Sequence, residues 1–271
     1  MPVKLVRARP GLISFMRQYP IAVFVVLAYA FSWWPWIWFQ IDPIAAESPI
    51  VPFGPLFAAL AVLAMIGGWT SVKSLLARCV RWRIGLGWYA IALLLPLATT
   101  LIAIALNLQL GALQAETFLH PSLGDLAGRF VFIFIAIGMG EEIAWRGFLL
   151  DRLLTSHTVL KATLLVAMTH LVWHAPLFGV EYHFSNIVPW ATTVICFSFI
   201  MSWIYLRSGK SLLPSMLGHS VVNTVGVQFG MFQGADLTRL WWIWGALWVL
   251  ATIAVVGFSG RQFWQGKAMQ N

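Results

Sequence analysis

Three charged side chains interrupt a long apolar run near the middle of the chain. Glu141, Glu142 and Arg146 lie in the stretch GMGEEIAWRGF, residues 138–148. A charged side chain at the centre of a bilayer costs at least about 2.5–3.5 kcal/mol on insertion scales, so such residues usually face a protein interior and serve a function. The stretch therefore predicts a functional site inside a membrane.

The two neighbouring glutamates are predicted to have different partners. On a helix, Glu142 and Arg146 are four residues apart and share a face, so they can form an ion pair. Glu141 is rotated by about 100° from Glu142 and points elsewhere. A buried carboxylate without a local counter-ion is suited to act as a general base. Gly138 and Gly140 would let another helix approach this face closely.

Two later apolar runs each contain a pair of polar residues. MTHLVWHAPLF contains His170 and His174, and LGHSVVNTVG contains His219 and Asn223. The members of each pair are four residues apart and therefore share one helix face. These residues could form a structural hydrogen-bond network between helices. Taken together with the glutamates and the arginine, however, they favour catalysis.

The composition restricts the class of protein. Of the 271 residues, 60% are hydrophobic and 10% are charged, whereas a soluble domain carries about 25% charged residues. The 17 Lys and Arg residues outnumber the 9 Asp and Glu residues, but they cluster between apolar runs, which is typical of topology signals and not of nucleic-acid binding. Cys79 and Cys196 form no recognisable disulfide or zinc motif. The sequence predicts an all-α polytopic membrane protein in a lipid bilayer, with no nucleic-acid partner.

About eight transmembrane helices are predicted, because most of the apolar runs reach the roughly 20 residues that span a hydrocarbon core about 30 Å thick. The runs cover residues 20–39, 54–70, 86–107, 128–150, 158–178, 187–206, 211–230 and 240–259. The fifth run is unusual, because it contains two histidines and a proline. The first run is longer than the core of a signal peptide and is predicted to be an uncleaved anchor.

The charges of the connecting segments alternate along the chain. Segments predicted to be cytoplasmic contain Lys4, Arg7, Arg9, Arg17, Lys73, Arg78, Arg81, Arg83, Arg152, Lys161, Arg207, Lys210, Arg261 and Lys267. Segments on the other side contain Arg129 and Arg239 with Asp42, Glu47, Glu116, Asp125, Glu181 and Asp236. This positive-inside pattern predicts that both termini are cytoplasmic. The stretch SVKSLLARCVRWR, residues 71–83, is predicted to form a basic helix on the cytoplasmic surface.

The chain divides into four predicted segments. Residues 1–19 form a basic N-terminal segment, 20–127 the first three transmembrane helices, 128–230 a catalytic helical core, and 231–271 the last helix and a cytoplasmic tail. Tryptophan clusters at residues 33–38 and 241–244 are interpreted as anchors at the outer membrane interface rather than as a ligand-stacking box.

Three short motifs in the predicted core resemble a known family. EEIAWR matches the EExxxR motif of the CAAX protease and bacteriocin-processing family (CPBP or Abi), intramembrane endopeptidases related to the Ras-converting CAAX prenyl endopeptidase. HLVWH resembles the FxxxH motif of that family and HSVVN resembles its HxxxN motif, in the same order. The resemblance covers about residues 135–226, and the combination of three motifs makes it specific.

The resemblance implies a peptidase site inside the membrane. Glu141 and His174 would activate a water molecule, and His219 and Asn223 would stabilise the oxyanion that forms when this water attacks a peptide carbonyl. Glu142 would brace the helix together with Arg146. The implied substrate is a membrane-associated protein or peptide. A short chain without retention or targeting tails also indicates a prokaryotic plasma membrane, where prenylated proteins are not expected.

One residue departs from the family pattern and bears on the question of a cofactor. His170 occupies the position at which the second motif usually has Phe. We expect no cofactor, with His170 as a supporting residue. The alternative is a zinc site formed by Glu141, His170, His174 and His219, since histidines at i and i+4 on a helix suit zinc.

Other functions remain as alternatives. The sequence contains no HExxH, GxSxG or GxGD motif, so zinc site-2, rhomboid-type serine and presenilin-type aspartate mechanisms are unsupported. A non-catalytic immunity or scaffold protein could retain the polar cluster for structure. An ion-coupled or proton-coupled transporter could use the same buried Glu and His residues as an ion path.

Overall fold

The computed structural model describes residues 11–42, 53–116 and 118–266. They contain nine helices and no strand. The helices are α1 (Leu12–Gln18), α2 (Pro20–Ile41), α3 (Gly54–Leu76), α4 (Leu86–Gln109), α5 (Leu123–Leu153), α6 (Val159–Trp173), α7 (Ile187–Arg207), α8 (Leu213–Val225) and α9 (Gly234–Gln265). The all-α polytopic fold predicted from the sequence is confirmed.

Six of these helices are long and apolar enough to cross a membrane, namely α2, α3, α4, α5, α7 and α9. All eight predicted runs contain helix, but α6 and α8 are short, with 15 and 13 residues. The count of eight spanning helices is therefore not confirmed. α6 ends early because Pro176 disfavours helical backbone at the residue before it, and a 3₁₀ turn, Ala175–Leu177, follows His174.

The basic stretch at residues 71–83 is only partly helical. α3 continues to Leu76 after a break at Gly68, where φ is +66°. That backbone conformation favours glycine, because a side chain there would be strained. The chain then forms turns and irregular structure up to Gly85. The predicted surface helix is therefore wrong for residues 77–83.

The loops predicted to be cytoplasmic meet at one end of the bundle, which we call the basic end. Asp151 accepts a hydrogen bond from Arg78 and lies 3.1 Å from the Lys210 ammonium. Arg78 also donates to the hydroxyl of Tyr205 over 2.7 Å. These contacts place three predicted inside loops together. Five residues of the charge pattern lie outside the described residues: Lys4, Arg7, Arg9, Glu47 and Lys267.

A different polar network lies at the opposite end of the bundle. Arg239 donates to Asn107 and to Asp236, each over 2.8 Å. Asn107 in turn donates to the main-chain carbonyl of Asp236 over 3.1 Å. This network joins the end of α4 to the beginning of α9.

The tryptophan clusters are not all interface anchors. Trp36 is fully buried and packs edge-on against Trp173 at 4.7 Å between ring centroids, and Trp244 is also buried. Trp34 and Trp242 are exposed, as an interfacial position requires. The buried members instead join helices that are distant in sequence. In contrast to these mixed clusters, every residue from 141 to 150 in α5 is buried.

Candidate active site

The backbone of α5 is irregular at the two glutamates. The α-helical segment Met139–Glu142 lies between two π-helical segments, Phe134–Gly138 and Ile143–Leu150. π-helical turns are rare and occur frequently at functional sites. They alter the local helical period, so the neighbours of each side chain cannot be read from a regular 3.6-residue repeat alone.

Gly138 sets the distance between α5 and α8. A Cβ atom at this position would lie 2.7 Å from Ser220 Oγ and 2.8 Å from the carbonyl oxygen of Met216. Both distances are too short for any side chain, so only glycine allows the helices to approach this closely. The prediction of a close helix contact at Gly138 is confirmed, and the contact brings His219 of α8 against α5.

Glu142 forms the predicted ion pair and has a second partner. Arg146 Nη1 donates to Glu142 Oε1 over 2.7 Å, and His219 Nδ1 lies 2.7 Å from the same oxygen. Arg146 also donates to Ser198 Oγ over 3.2 Å. Glu142 and Arg146 are completely buried. Glu142 thus joins its own helix to α8, and Arg146 joins it to α7.

Glu141 points to a different group of residues, as the sequence predicted. Its Oε2 atom lies 2.8 Å from His170 Nε2 and accepts a hydrogen bond from Trp145 Nε1 over 3.2 Å. Glu141 is only 3% exposed. Among the described residues, neither Lys nor Arg forms an ion pair with it.

His174 is held in one orientation by the backbone. Its Nδ1 atom lies 2.9 Å from the carbonyl oxygen of His170. A carbonyl oxygen only accepts hydrogen bonds, so Nδ1 carries the proton and Nε2 of the neutral ring keeps its lone pair. The rings of His170 and His174 are 4.8 Å apart. His174 can therefore accept a proton through Nε2.

A cavity of about 800 Å³ connects the predicted catalytic residues. Its lining includes Glu141, His170, His174, His219 and Asn223. Its walls are mostly apolar and aromatic, which is typical of ligand-binding cavities. Glu142 and Arg146 are not part of the lining, so they lie behind the cavity wall. All seven predicted site residues are thus in or directly behind one cavity.

Several contributors to the site were not predicted. Trp145 lies four residues after Glu141, so the spacing argument that paired Glu142 with Arg146 could have found it. Phe197 packs against Arg146 at 5.4 Å and against the ring of His219 at 4.9 Å. No sequence signal marks Phe197, because its role depends on how α7 packs against α5 and α8.

Two charged residues of the cavity lining were predicted only as topology signals. Arg129 and Glu181 both line the cavity. Desolvation raises the pKa of the Glu181 carboxyl, the negative charge of Glu141 raises it further, and Arg129 opposes the shift. Glu181 and Glu141 therefore repel each other across the cavity, and Arg129 offsets part of this repulsion.

The zinc alternative can be compared with the geometry. Within the described ranges, Glu141, His170 and His174 form one group of potential ligands, whose donor atoms lie within 4.8 Å of one another. Zinc bonds of about 2.0–2.1 Å in a tetrahedron put ligand atoms about 3.4 Å apart. Moreover, His170 Nδ1 is buried without a hydrogen-bond partner in the described residues, whereas metal-bound histidines almost always donate this second proton. The donor types and their proximity are compatible with zinc, whereas His170 Nδ1 lacks, among the described residues, the partner that zinc-bound histidines usually have.

His219 does not belong to this group of potential ligands. Its Nδ1 atom contacts Glu142, and neither of its ring nitrogens lies within 4.8 Å of all three other donors, so it is not placed as the fourth ligand of the zinc alternative.

Comparison with known proteins supports the resemblance seen in the motifs. Residues 124–225 match the family model described as type II CAAX prenyl endopeptidase Rce1-like. The chain is also 25% identical over 185 residues to a protein named CAAX prenyl protease 2 from Methanococcus maripaludis. The aligned region covers 64% of this chain and 66% of the relative, just under two thirds of its length. The matched residues include all three motifs, so the chain is similar to this family over the predicted catalytic core.

Proposed function

We propose that this protein is an intramembrane endopeptidase that hydrolyses a peptide bond of a membrane-associated protein or peptide. The observation that carries the proposal is the shared cavity, into which Glu141, His170, His174, His219 and Asn223 all project from three helices and the turn after α6. A buried carboxylate, an oriented histidine and further polar groups on a third helix are the components of general-base hydrolysis.

In the proposed reaction, Glu141 and His174 act on the attacking water. Glu141 removes a proton as the water oxygen bonds to the peptide carbonyl carbon. The protonated Glu141 then gives this proton to the leaving amine as the C–N bond breaks. His174 holds the water through the lone pair of Nε2. His170 and Trp145 hold the Glu141 carboxylate in place through their hydrogen bonds to Oε2.

His219 and Asn223 stabilise the carbonyl oxygen when it becomes negative. The Nδ1–H group of His219 is directed at Glu142, so the ring can donate to an oxyanion only from Nε2 and only when it carries both protons. Glu142 is the group that balances this second positive charge. In this proposal Glu142 and Arg146 are positioning residues that support His219, in addition to bracing α5.

The proposed substrate class is broader than the name of the relative. The relative is named a CAAX prenyl protease, but we propose the broader class of membrane-associated proteins or peptides, processed in a prokaryotic plasma membrane. No cofactor is required in this scheme, because every step is assigned to a side chain.

The proposal is tested by comparing peptides released from membranes that contain wild-type protein or Glu141→Gln. We expect fragments that appear only with the wild type. Glu116→Gln, which alters an exposed carboxylate in the loop after α4, serves as the matched control and should give the wild-type pattern. Identical peptide patterns for all three proteins, each correctly folded, would contradict the proposal.

The zinc alternative has a separate test. Purified protein should keep its activity in a strong chelator and contain no stoichiometric zinc. His170→Phe should then retain activity within about tenfold, because Trp145 still holds Glu141. Loss of activity with the chelator, recovery with zinc and inactivity of His170→Phe would together establish the metal mechanism.

For the orientation in the membrane, we propose that the basic end is cytoplasmic together with both termini. Reporter fusions at Trp82 and Lys210 should then report the cytoplasm, and a fusion at Glu116 should report the opposite side. A cytoplasmic signal at Glu116 would contradict this orientation.

A further inference from the structure

A second cavity, of about 190 Å³, lies beside the first, and we call it the side pocket. One water needs only about 10–15 Å³ of such space, so the side pocket is large enough for a side chain. The two cavities share the lining residues Glu181, Tyr182, Trp190, Phe229 and Trp241. The side pocket is therefore an extension of the catalytic cavity.

Hydrogen-bond acceptors line the side pocket without a protein cation to match them. Glu181 contributes a carboxylate, and within the described ranges neither Lys nor Arg forms an ion pair with it. Arg129 acts on Glu181 at longer range but lines only the larger cavity. Asn186 is 4% exposed, and its Oδ1 atom has no partner among the described residues. A buried acceptor in this state is destabilising unless a ligand or a water molecule supplies a donor.

The walls of the side pocket are aromatic. The rings of Tyr182 and Trp190 are 5.1 Å apart, and those of Phe229 and Trp241 meet edge to face at 5.3 Å. The faces of such rings attract cations, most strongly where water is excluded. An aromatic enclosure with a carboxylate and an amide oxygen is suited to an ammonium or a guanidinium group.

The side pocket also lies close to the catalytic residues. The ring of His174 is 5.2 Å from that of Trp190 and 6.0 Å from that of Tyr182. The same two rings line the side pocket. A substrate bound at His174 would therefore place a neighbouring side chain at this enclosure.

We propose that the side pocket binds a basic side chain, Lys or Arg, of the peptide substrate beside the bond to be cleaved. This inference rests on the proposed endopeptidase function and adds a preference for basic residues. Glu181 and Asn186 accept hydrogen bonds from the cationic group, and Tyr182, Trp190 and Trp241 contact it through their rings.

Calorimetric binding to Glu141→Gln protein in detergent tests the inference without turnover. The probes are two capped peptide mixtures with randomised flanking positions, one with Arg and the other with its neutral isostere citrulline at the fixed position. We expect the Arg mixture to bind at least about threefold more tightly, the effect of a partly solvated cation against aromatic rings. Adding Glu181→Gln should remove this difference, whereas adding the matched change Glu116→Gln should preserve it.

Equal binding of the two mixtures, including no binding of either, would overturn the inference, as would an Arg preference that survives Glu181→Gln. Cleavage of the same mixtures by wild-type protein separates this result from the proposed function. If the Arg preference is present but neither mixture is cleaved, the side pocket stands and the endopeptidase proposal fails. If both mixtures are cleaved but bind equally, the endopeptidase proposal stands and the inference about the side pocket fails.

Discussion

The ion pairs at the basic end retain contact with solvent, whereas those in the active site do not. At the basic end, 17% to 42% of the side-chain surface is exposed to solvent in Arg78, Asp151 and Lys210. In Glu142, Arg146 and His219, at most 8% of this surface is exposed. Both clusters join helices through a carboxylate that has two basic partners, but in the active site these side chains are almost completely buried.

The difference in burial indicates different roles for the two clusters. The exposed pairs hold loops together, whereas the buried pairs support the proposed reaction. Exposed ion pairs contribute little to stability and cost little to form. Buried ones are costly, because desolvation can exceed the attraction between the charges. The active site also contains buried polar atoms with no partner in the described residues, namely Glu142 Oε2, Arg146 Nε and His170 Nδ1. We infer that the site is retained for its function and at some expense of stability.

Glu141→Gln should show the largest effect on activity. The change keeps the size of the side chain but removes the base, so turnover should fall by about 10²–10⁴. Thermal stability should remain the same or increase, because a buried charge without a cationic partner disappears. Cleavage of a reporter substrate beside thermal melting in detergent measures both quantities. Normal cleavage by a folded Glu141→Gln protein would show that Glu141 is not the base.

Glu142→Gln should lower stability most, with a secondary loss of turnover because His219 loses the carboxylate that balances its charge. It leaves Arg146 and His219 without a balancing carboxylate inside the bundle, and removing one partner of a buried pair commonly costs about 3–5 kcal/mol. The measurement is the free energy of unfolding in detergent. A Glu142→Gln protein that is stable but inactive, beside an active Glu141→Gln protein, would mean that the roles of the two glutamates are reversed.

Asn223→Ala is expected to slow turnover by about 10²–10³, the effect of losing one donor to an oxyanion. Stability should change little, because Asn223 is only half-buried and lines the cavity. Asn107→Ala is the matched control, since Asn107 joins α4 to α9 and is distant from the site. It should lower the melting temperature and leave the turnover of the folded protein unchanged. The reverse pattern would remove Asn223 from the proposed mechanism.

Asp151→Asn should give the smallest effect. The pairs at the basic end are partly exposed, so the loss should be about 1 kcal/mol or less. Turnover should not change, and the difference in melting temperature should shrink as salt is added, because salt screens exposed charges. A loss as large as that of Glu142→Gln would show that the two clusters do not differ in the way described above.

The spacing of polar residues within a helix was sufficient to predict much of the site from the sequence. The i, i+4 rule identified the pair of Glu142 with Arg146 and the separate direction of Glu141, and both are confirmed. The contact between Glu142 and His219 could not be predicted, because it depends on how closely α8 approaches Gly138. His170 was assigned a supporting role, yet it contacts Glu141 directly, since the tilt and length of α6 decide which histidine reaches that carboxylate.

The limits of hydropathy explain the difference in the helix count. Apolar composition continues through residues 174–178 and 226–230, so the predicted runs extend beyond α6 and α8. The backbone nevertheless leaves the α-helix at His174 and Gly226. Pro176 gave a local signal for the first of these ends. A shift from α-helix to 3₁₀ helix, as at Gly226, has no comparable signature in the sequence.

The shortness of α6 has a consequence for how water reaches the cavity. Its 15 residues rise only about 22 Å at 1.5 Å per residue, against a hydrocarbon core about 30 Å thick. Turns and short 3₁₀ segments follow α6 between His174 and Asn186. Irregular backbone at bilayer depth is stable only where protein covers it or where it lines a hydrated space. These turns border the cavity, so we infer that, under the proposed function, they form the route by which water reaches Glu141 and His174.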